Sequence, residues 1–364
     1  AGPVLDTRVH LEEAARWLAR AQDATADDGV CGGYSFEDGW IASYPETTGY
    51  IIPTFFAYAQ YADDHEYEKR AVAMAEWELT VQHADGGFPG HFVDRASPPV
   101  VFNTGQVIFG LLAAHAASRD ERFLSAAARA ARWLVANQDA DGAWRRFEYR
   151  DTVHAYNTRT AWALVEFGLV AQDRTILAAA RRALGWAMAQ QQPNGWFRHA
   201  AFDVTEQPFL HTVAYTTQGL LEAGLRLDAP AYVAAAERCA RAVLSAMRPD
   251  GYLPAAFDAV WRPTAPYSCL TGNAQMAAQW FRLYGVARDP RFLEAGLRAT
   301  DFLKRLQDCR TSNPAVRGAV KGSHPIWGRY LFGTYPNWAA KFFMDALLME
   351  EATRRGATTC IRCW

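Results

Sequence analysis

The chain has 364 residues, half of them apolar and 13% aromatic, with a formal charge of −2 at neutral pH. This provides ample apolar surface for a large core, and without a global basic field a nucleic-acid partner is not expected. No apolar run reaches about 18 residues without a charged or strongly polar break, so no membrane span is predicted.

The start, Ala1-Gly2-Pro3-Val4-Leu5-Asp6, lacks a basic stretch followed by an apolar run. A cytoplasmic chain, or a secreted or periplasmic one with its signal removed, would read this way. From His10 to Gln22 the spacing predicts a first amphipathic helix with Trp17 and Leu18 on its apolar side. Gly29, Gly32 and Gly33 then open a loop carrying Tyr34, Phe36 and Trp40. A helix over 47–61 follows that is apolar nearly all round, the mark of a buried element.

From there the two types alternate. Amphipathic helices are predicted over 67–82, 122–138, 175–191, 231–247 and 291–307. Buried ones are predicted over 103–117, 157–171, 211–226, 271–286 and 335–352. The joints within each pair are short and polar, as at Ser118-Arg119-Asp120-Glu121 and Gln172-Asp173-Arg174. No stretch shows a strand's alternation. Six outer helices and six inner helices can close a ring if the first outer helix pairs with the last inner one. The expected fold is therefore all-α, an (α/α)6 toroid of six helical hairpins forming one domain over 1–355. A disordered tail is expected over 356–364.

A repeated sentence runs through the outer helices. At Trp133…Gln138 a Trp is followed five residues on by Gln, and Asp141-Gly142-Ala143-Trp144 then delivers an aromatic. Trp17/Gln22, Trp77/Gln82 and Trp186/Gln191 repeat it; Phe302/Gln307 and Val243/Arg248 are degenerate copies. The turn glycines Gly86, Gly142, Gly195 and Gly251 lie roughly 53–56 residues apart, the fixed period of a repeat architecture. This sentence resembles the repeat of squalene and terpenoid cyclases and of protein prenyltransferase β subunits. The six-hairpin closure equally resembles the carbohydrate-active α/α toroids: uronate lyases, glucuronyl C5-epimerases and unsaturated-glucuronyl hydrolases.

The isoprenoid motifs are missing. There is no Asp-x-Asp-Asp, and Asp63-Asp64-His65-Glu66-Tyr67 lacks the fifth-position Asp. Cys269, Cys309 and His324 do not match the spacing of a prenyltransferase zinc set, and no lanthionine-cyclase Cys/His set is present. The six cysteines are scattered, as reduced thiols would be, and Cys360-x-x-Cys363 is half a zinc site at most. No metal and no cofactor are expected. The Gln and Gly-turn residues read as braces between outer helices and loops.

Function in a toroid belongs where the inner helices begin, because their positive ends and preceding loops converge on the axis and suit an anionic substrate. Those starts bring Tyr44, Glu46, Thr47 and Tyr50; Asn103, Thr104 and Gln106; His154, Tyr156, Asn157 and Arg159; His211 and Tyr215; Thr271, Asn273 and Gln275; and Tyr335, Asn337 and Lys341. Phe88, His91, Trp144, Arg145, Trp196, Arg198, His199, Tyr252, Trp261 and Trp327 are candidate walls. Aromatics cover sugar faces, amides bridge hydroxyls and Arg grips a carboxylate. The threonines at these starts read as helix caps.

Arg159 and Lys341 are charges on buried helices, costly without a partner. Each is read as functional or as an ion pair with Glu46, Glu166 or Glu222. His154 and His211 are acid/base groups or hydrogen-bonded core histidines.

The reading this inventory favours is an enzyme acting on an acidic, uronate-containing polysaccharide or oligosaccharide by proton abstraction at C5, as a lyase or an epimerase. Its candidate catalytic residues are Tyr156, His154, His211, Arg159 and Glu46. Its candidate binding residues are Tyr44, Tyr50, Asn103, Gln106, Trp144, Asn157, Trp196, Tyr215, Asn273, Gln275, Tyr335, Asn337 and Lys341. A glycoside hydrolase, a terpenoid cyclase-like enzyme and a non-catalytic glycan-binding protein are the alternatives.

Overall fold

The computed structural model describes residues 2–356; the expected tail, apart from Gly356, lies outside them. All twelve expected helices are present. The outer ones are α1 (Thr7–Asp23), α3 (His65–Val81), α5 (Glu121–Ala136), α7 (Arg174–Met188), α9 (Pro230–Ser245) and α11 (Pro290–Leu306). The inner ones are α2 (Pro45–Ala62), α4 (Val101–Ser118), α6 (Thr158–Val170), α8 (Leu210–Arg226), α10 (Leu270–Ala287) and α12 (Asn337–Arg354). Each inner helix packs on the next, α12 returns to α2, and α1 packs on α12, so the ring of six hairpins is closed. Among the described residues no helix is long and apolar enough to cross a membrane.

The short joints work by one device. Asp63, Arg119, Gln172, Asp228 and Arg288 end the inner helices with positive φ, between 50° and 62°. In four of these joints the next residue is an aspartate (Asp64, Asp120, Asp173 or Asp289) whose carboxylate accepts a backbone N–H in the first turn of the outer helix. Asp6 caps α1 in the same way. The left-handed residue stops one helix and the cap starts the next.

The inner helices, by contrast, carry no side-chain cap. This corrects the capping expectation. Thr47 and Thr158 donate to the carbonyls of Tyr44 and Thr216, and Thr104 accepts from the N–H of Phe88. These hydroxyls tie the inner helices to neighbouring backbone instead.

The repeated Gln is a clamp. Gln138 Nε2 donates at 3.0 Å to both Gly142 O in its own turn and Ala179 O on the next outer helix, while its Oε1 accepts from Arg182 at 2.7 Å. Gln82 and Gln191 repeat this with Arg129 and Arg238. Gln307 closes the circle: it donates to Gly318 O and His10 O and faces the His10 ring at 2.6 Å. The turn glycine is needed for two reasons. Gly142 sits at φ 95°, and a Cβ there would lie 2.4 Å from the Arg182 carbonyl. Gly318 is a fifth such turn that the sequence pattern did not reveal.

Among the described residues five strands of two or three residues occur in the loops, too short to show alternation in the sequence. β1 (Gly33–Ser35) pairs with β2 (Gly39–Trp40) and β5 (Thr334–Pro336), and β3 (Ser268–Cys269) pairs with β4 (Ser323–His324), all antiparallel. They hold the loops over the mouth of the ring. Cys31, Cys239, Cys269 and Cys309 are free thiols.

Candidate functional site

A cavity of about 260 Å³ opens where the inner helices start. Its walls come from α2 (Tyr44, Glu46, Tyr50), α4 (Phe102, Asn103), α8 (His211, Tyr215), α12 (Trp338) and the turn before α6 (Tyr156). Loops add His91, Phe92, Tyr149, Phe202, Tyr330 and Leu331. The sequence reading thus anticipated the helical half of the wall and largely missed the loop half, since irregular segments carry no period to read. Among the described lining residues Glu46 is the single carboxylate, and neither Lys nor Arg lines the cavity.

Glu46 stands in the first turn of α2. Its carboxylate accepts the Tyr44 hydroxyl at 2.7 Å, and Asn103 Nδ2 donates at 3.3 Å to that same hydroxyl. Burial raises the Glu46 pKa to about 7, opposed by the Tyr44 hydrogen bond and the positive charge of Arg159. A carboxyl poised there can take or give a proton at neutral pH. His211 behaves in the opposite way. Its Nδ1 faces Gln275 Oε1 at 3.0 Å, and burial lowers its pKa to about 3, so the imidazole is neutral. Burial likewise raises Tyr50, Tyr156 and Tyr215, which remain phenols. The cavity therefore offers one carboxyl among neutral donors, acceptors and ring faces, with the imidazole of His91, its pKa lowered by burial and by Arg95, on the loop side.

Arg159 lies beneath the floor, fully buried. Nε donates to Gln106 Oε1 at 2.5 Å, Nη1 donates to Gln218 Oε1, and Nη2 has no hydrogen-bond partner. The rings of Tyr50 and Tyr215, which also line the cavity, have their centroids 5.7 and 5.4 Å from its guanidinium carbon. No carboxylate forms an ion pair with it among the described residues. The expected carboxylate partners bond elsewhere: Glu46 to the Tyr44 hydroxyl, Glu166 to Arg226 and Glu222 to Arg282. Lys341 pairs with Asp345 on its own helix at 2.5 Å, and Asp345 also accepts from Thr54.

The remaining candidates sit behind the wall or away from it. His154 stacks on Tyr156 with centroids 4.3 Å apart. Its ring nitrogens face the carbonyls of Ala201 and Tyr149, and burial lowers its pKa to about 4. Asn157 donates at 2.8 Å to Glu148, a buried carboxyl that burial raises well above its usual range. Sequence reasoning did not single out Glu148, because a lone Glu in a polar loop carries no signal.

Gln106 serves Arg159 and Gln275 serves His211. Asn273 and Asn337 donate to the loop carbonyls of Gly251 and Cys31. Trp144 donates to Leu134 O, Trp196 packs edge-on against Trp261, and Tyr335 lies in β5. None of these reaches the cavity.

A family model, the C-terminal domain of squalene-hopene cyclase, matches residues 42–221. No curated protein matches in sequence. Among solved structures, an unsaturated glucuronyl hydrolase specific for heparin superposes with a TM-score of 0.76 at 15% identity, covering 96% of this chain and 98% of its own. The Bacillus sp. GL1 unsaturated glucuronyl hydrolase, responsible for the degradation of glycosaminoglycan, gives 0.74 at 16%, covering 97% and 98%. The cellobiose 2-epimerase of Bacillus thermoamylovorans gives 0.74 at 12%, covering 94% and 98%. At such identities the likeness is one of fold, and it extends over essentially the whole ring.

Proposed function

We propose that this six-hairpin α/α toroid is a carbohydrate-active enzyme that moves a proton at a sugar carbon, with Glu46 as the proton-transfer group. The observation that carries this reading is the lone carboxyl of the cavity wall, raised to about 7 and set among aromatic faces. Aromatic walls with a few fixed polar groups suit a sugar ring. Displacement at a glycosidic carbon needs two carboxyl groups flanking one bond, and here the second one, Glu148, stands behind Asn157. Abstraction next to a carbonyl or carboxyl needs one base.

In the proposed step the Glu46 carboxylate takes the proton from C5 of a uronate. The electron pair of the C–H bond passes into an enediolate on the sugar carboxyl. Arg159, behind Tyr50 and Tyr215 and without an ion-pair partner among the described residues, supplies positive charge that favours this anion. Transfer of the proton now on Glu46 to the C4 oxygen as the C4–O bond breaks gives elimination. Delivery of a proton from water to the other face of C5, with Glu46 later losing its proton to solvent, gives epimerisation. A hydrolase of the same fold is the second reading, favoured by the likeness to the glucuronyl hydrolases.

The test incubates heparosan, alginate, chondroitin, pectate and glucuronan in deuterium oxide with wild type and Glu46→Gln. Deuterium at C5 or ultraviolet absorbance of an unsaturated uronate is expected with the wild type alone. Reducing ends appearing without either would favour the hydrolase. An unchanged panel, together with turnover of an isoprenoid diphosphate, would overturn the carbohydrate reading.

A further inference from the structure

Beside the cavity, on the same face, lies an open groove of about 900 Å³ that the proposed proton transfer does not use. The two share an aromatic boundary. Phe202 belongs to both. Phe209 on the groove side and Tyr330 on the cavity side meet at 5.2 Å between centroids. The loop after Tyr149 and the loop 325–331 likewise contribute to both, Tyr149, Tyr330 and Leu331 to the cavity and Arg150, Trp327 and Arg329 to the groove.

The groove has the make-up of a sugar-chain site. Trp327 is 68% exposed and stands in the groove wall with Tyr267, an open aromatic face of the kind that covers a sugar ring. Arg329 is exposed and forms no ion pair among the described residues, whereas Arg150 is engaged with Glu206 at 3.2 Å. The cavity holds a sugar ring and little more, while the groove is several times larger. A chain leaving the cavity past Phe202 enters it directly.

We infer that the groove takes the rest of an acidic oligosaccharide whose reacting residue occupies the cavity. Trp327 is the stacking platform and Arg329 the contact for a carboxylate or sulfate of the chain. This rests on the carbohydrate reading above, and it specifies the substrate as a chain rather than a free sugar.

Calorimetric titration with disaccharides and hexasaccharides of heparosan and alginate, on wild type, Trp327→Ala and Arg329→Ala, tests it. Both side chains are exposed, so both variants are expected to fold. The hexasaccharide should bind the wild type about tenfold more tightly than the disaccharide, the scale of one well-formed aromatic contact. Trp327→Ala should remove most of that gap and leave disaccharide affinity unchanged. Arg329→Ala should narrow it further at low salt. Equal affinity for both lengths, or a gap indifferent to Trp327, overturns the groove while disaccharide binding or turnover keeps the cavity reading. Absence of binding at either length overturns the groove, and the cavity reading then stands or falls on the five-glycan panel.

Discussion

The Tyr44 hydroxyl donates a 2.7 Å hydrogen bond to the Glu46 carboxylate from two residues before it, at the point where α2 begins. That bond stabilises the ionised form of a carboxyl that burial otherwise pushes toward neutrality. If Glu46 is the base, kcat/KM should rise with pH through about 7 and level off above it. Glu46→Gln should lower turnover by about 10²–10⁴-fold. Tyr44→Phe removes the bond that holds the pKa down, so its ascending limb should move to higher pH with the plateau largely kept. A limb that stays in place would mean that another group titrates.

Arg159 acts on the same limb from below the floor. Its charge favours ionised Glu46 without touching the cavity. Arg159→Met keeps most of the volume and removes the charge, so the limb should again move up in pH, and the plateau should fall because the enediolate loses its counter-charge. Gln106 and Gln218 each lose a donor, which costs about 1–3 kcal/mol of stability per unsatisfied group. A variant that loses stability but keeps the wild-type pH profile would reduce Arg159 to a structural cation.

The clamp makes a prediction within one molecule. Gln138→Ala deletes three hydrogen bonds, two donated and one accepted. It should cost about 2–3 kcal/mol in urea unfolding, near one per bond. Gly142→Ala should cost at least as much, since it meets both a positive φ and the Arg182 carbonyl. In the fourth turn the backbone bonds put Arg248 where Asp139 stands, so Met247 and not Arg248 occupies the clamp position, which corrects the sequence pairing of Val243 with Arg248. Exposed Arg248 bonds Asp250 and lies over the Tyr252 ring within its own turn, so Arg248→Ala should be close to neutral. Equal effects at the two positions would remove the clamp as the reason for the repeat.

The ring was legible because its physics is periodic. An inner helix buried on all sides and an outer helix buried on one leave different patterns, and each of the twelve spans lies within a few residues of its observed helix. The αL–Asp joints were visible as short polar segments, although their shared mechanism was not. The cavity wall was legible mainly where it rides on the starts of the inner helices: Tyr44, Glu46, Tyr50, Asn103, Tyr156, His211 and Tyr215 come together, and of the loop residues His91 alone was anticipated. Arg159 and Lys341 stood out as buried charges, but the sequence could not place one beneath the floor or give the other its own-helix Asp345. Phe92, Phe202 and Tyr330 reach the cavity through loop geometry, which a linear pattern does not encode. Trp144 and Trp196 read as sugar platforms, but both are buried away from the cavity, Trp144 bonded to Leu134 O of α5 and Trp196 packed on Trp261 of a neighbouring loop.

His10 gives the closing seam a pH dependence. Its Nε2 accepts the backbone N–H of Leu5 at 3.1 Å while its Nδ1 faces Gln307 Oε1 at 2.6 Å, so the neutral Nδ1–H form satisfies both contacts. Burial lowers its pKa in the fold, partly opposed by the Gln307 bond. A histidine held neutral contributes stability that is fully present above the unfolded pKa of about 6.5 and is lost as pH falls through the folded value. Protonation would also leave Leu5 facing a second donor. In urea unfolding the His10 share of stability should therefore be lost as pH drops from 7 toward 5, by at most about 1.4 kcal/mol per pH unit, the limit for one proton, while the raised carboxyls of Glu46 and Glu148 act in the opposite direction. His10→Gln should remove that share, read as the difference between the two curves, while remaining less stable at pH 7. His154 and His211, also held neutral by burial, should keep a residual slope in the variant. An unchanged slope in His10→Gln would show that the seam does not sense acid.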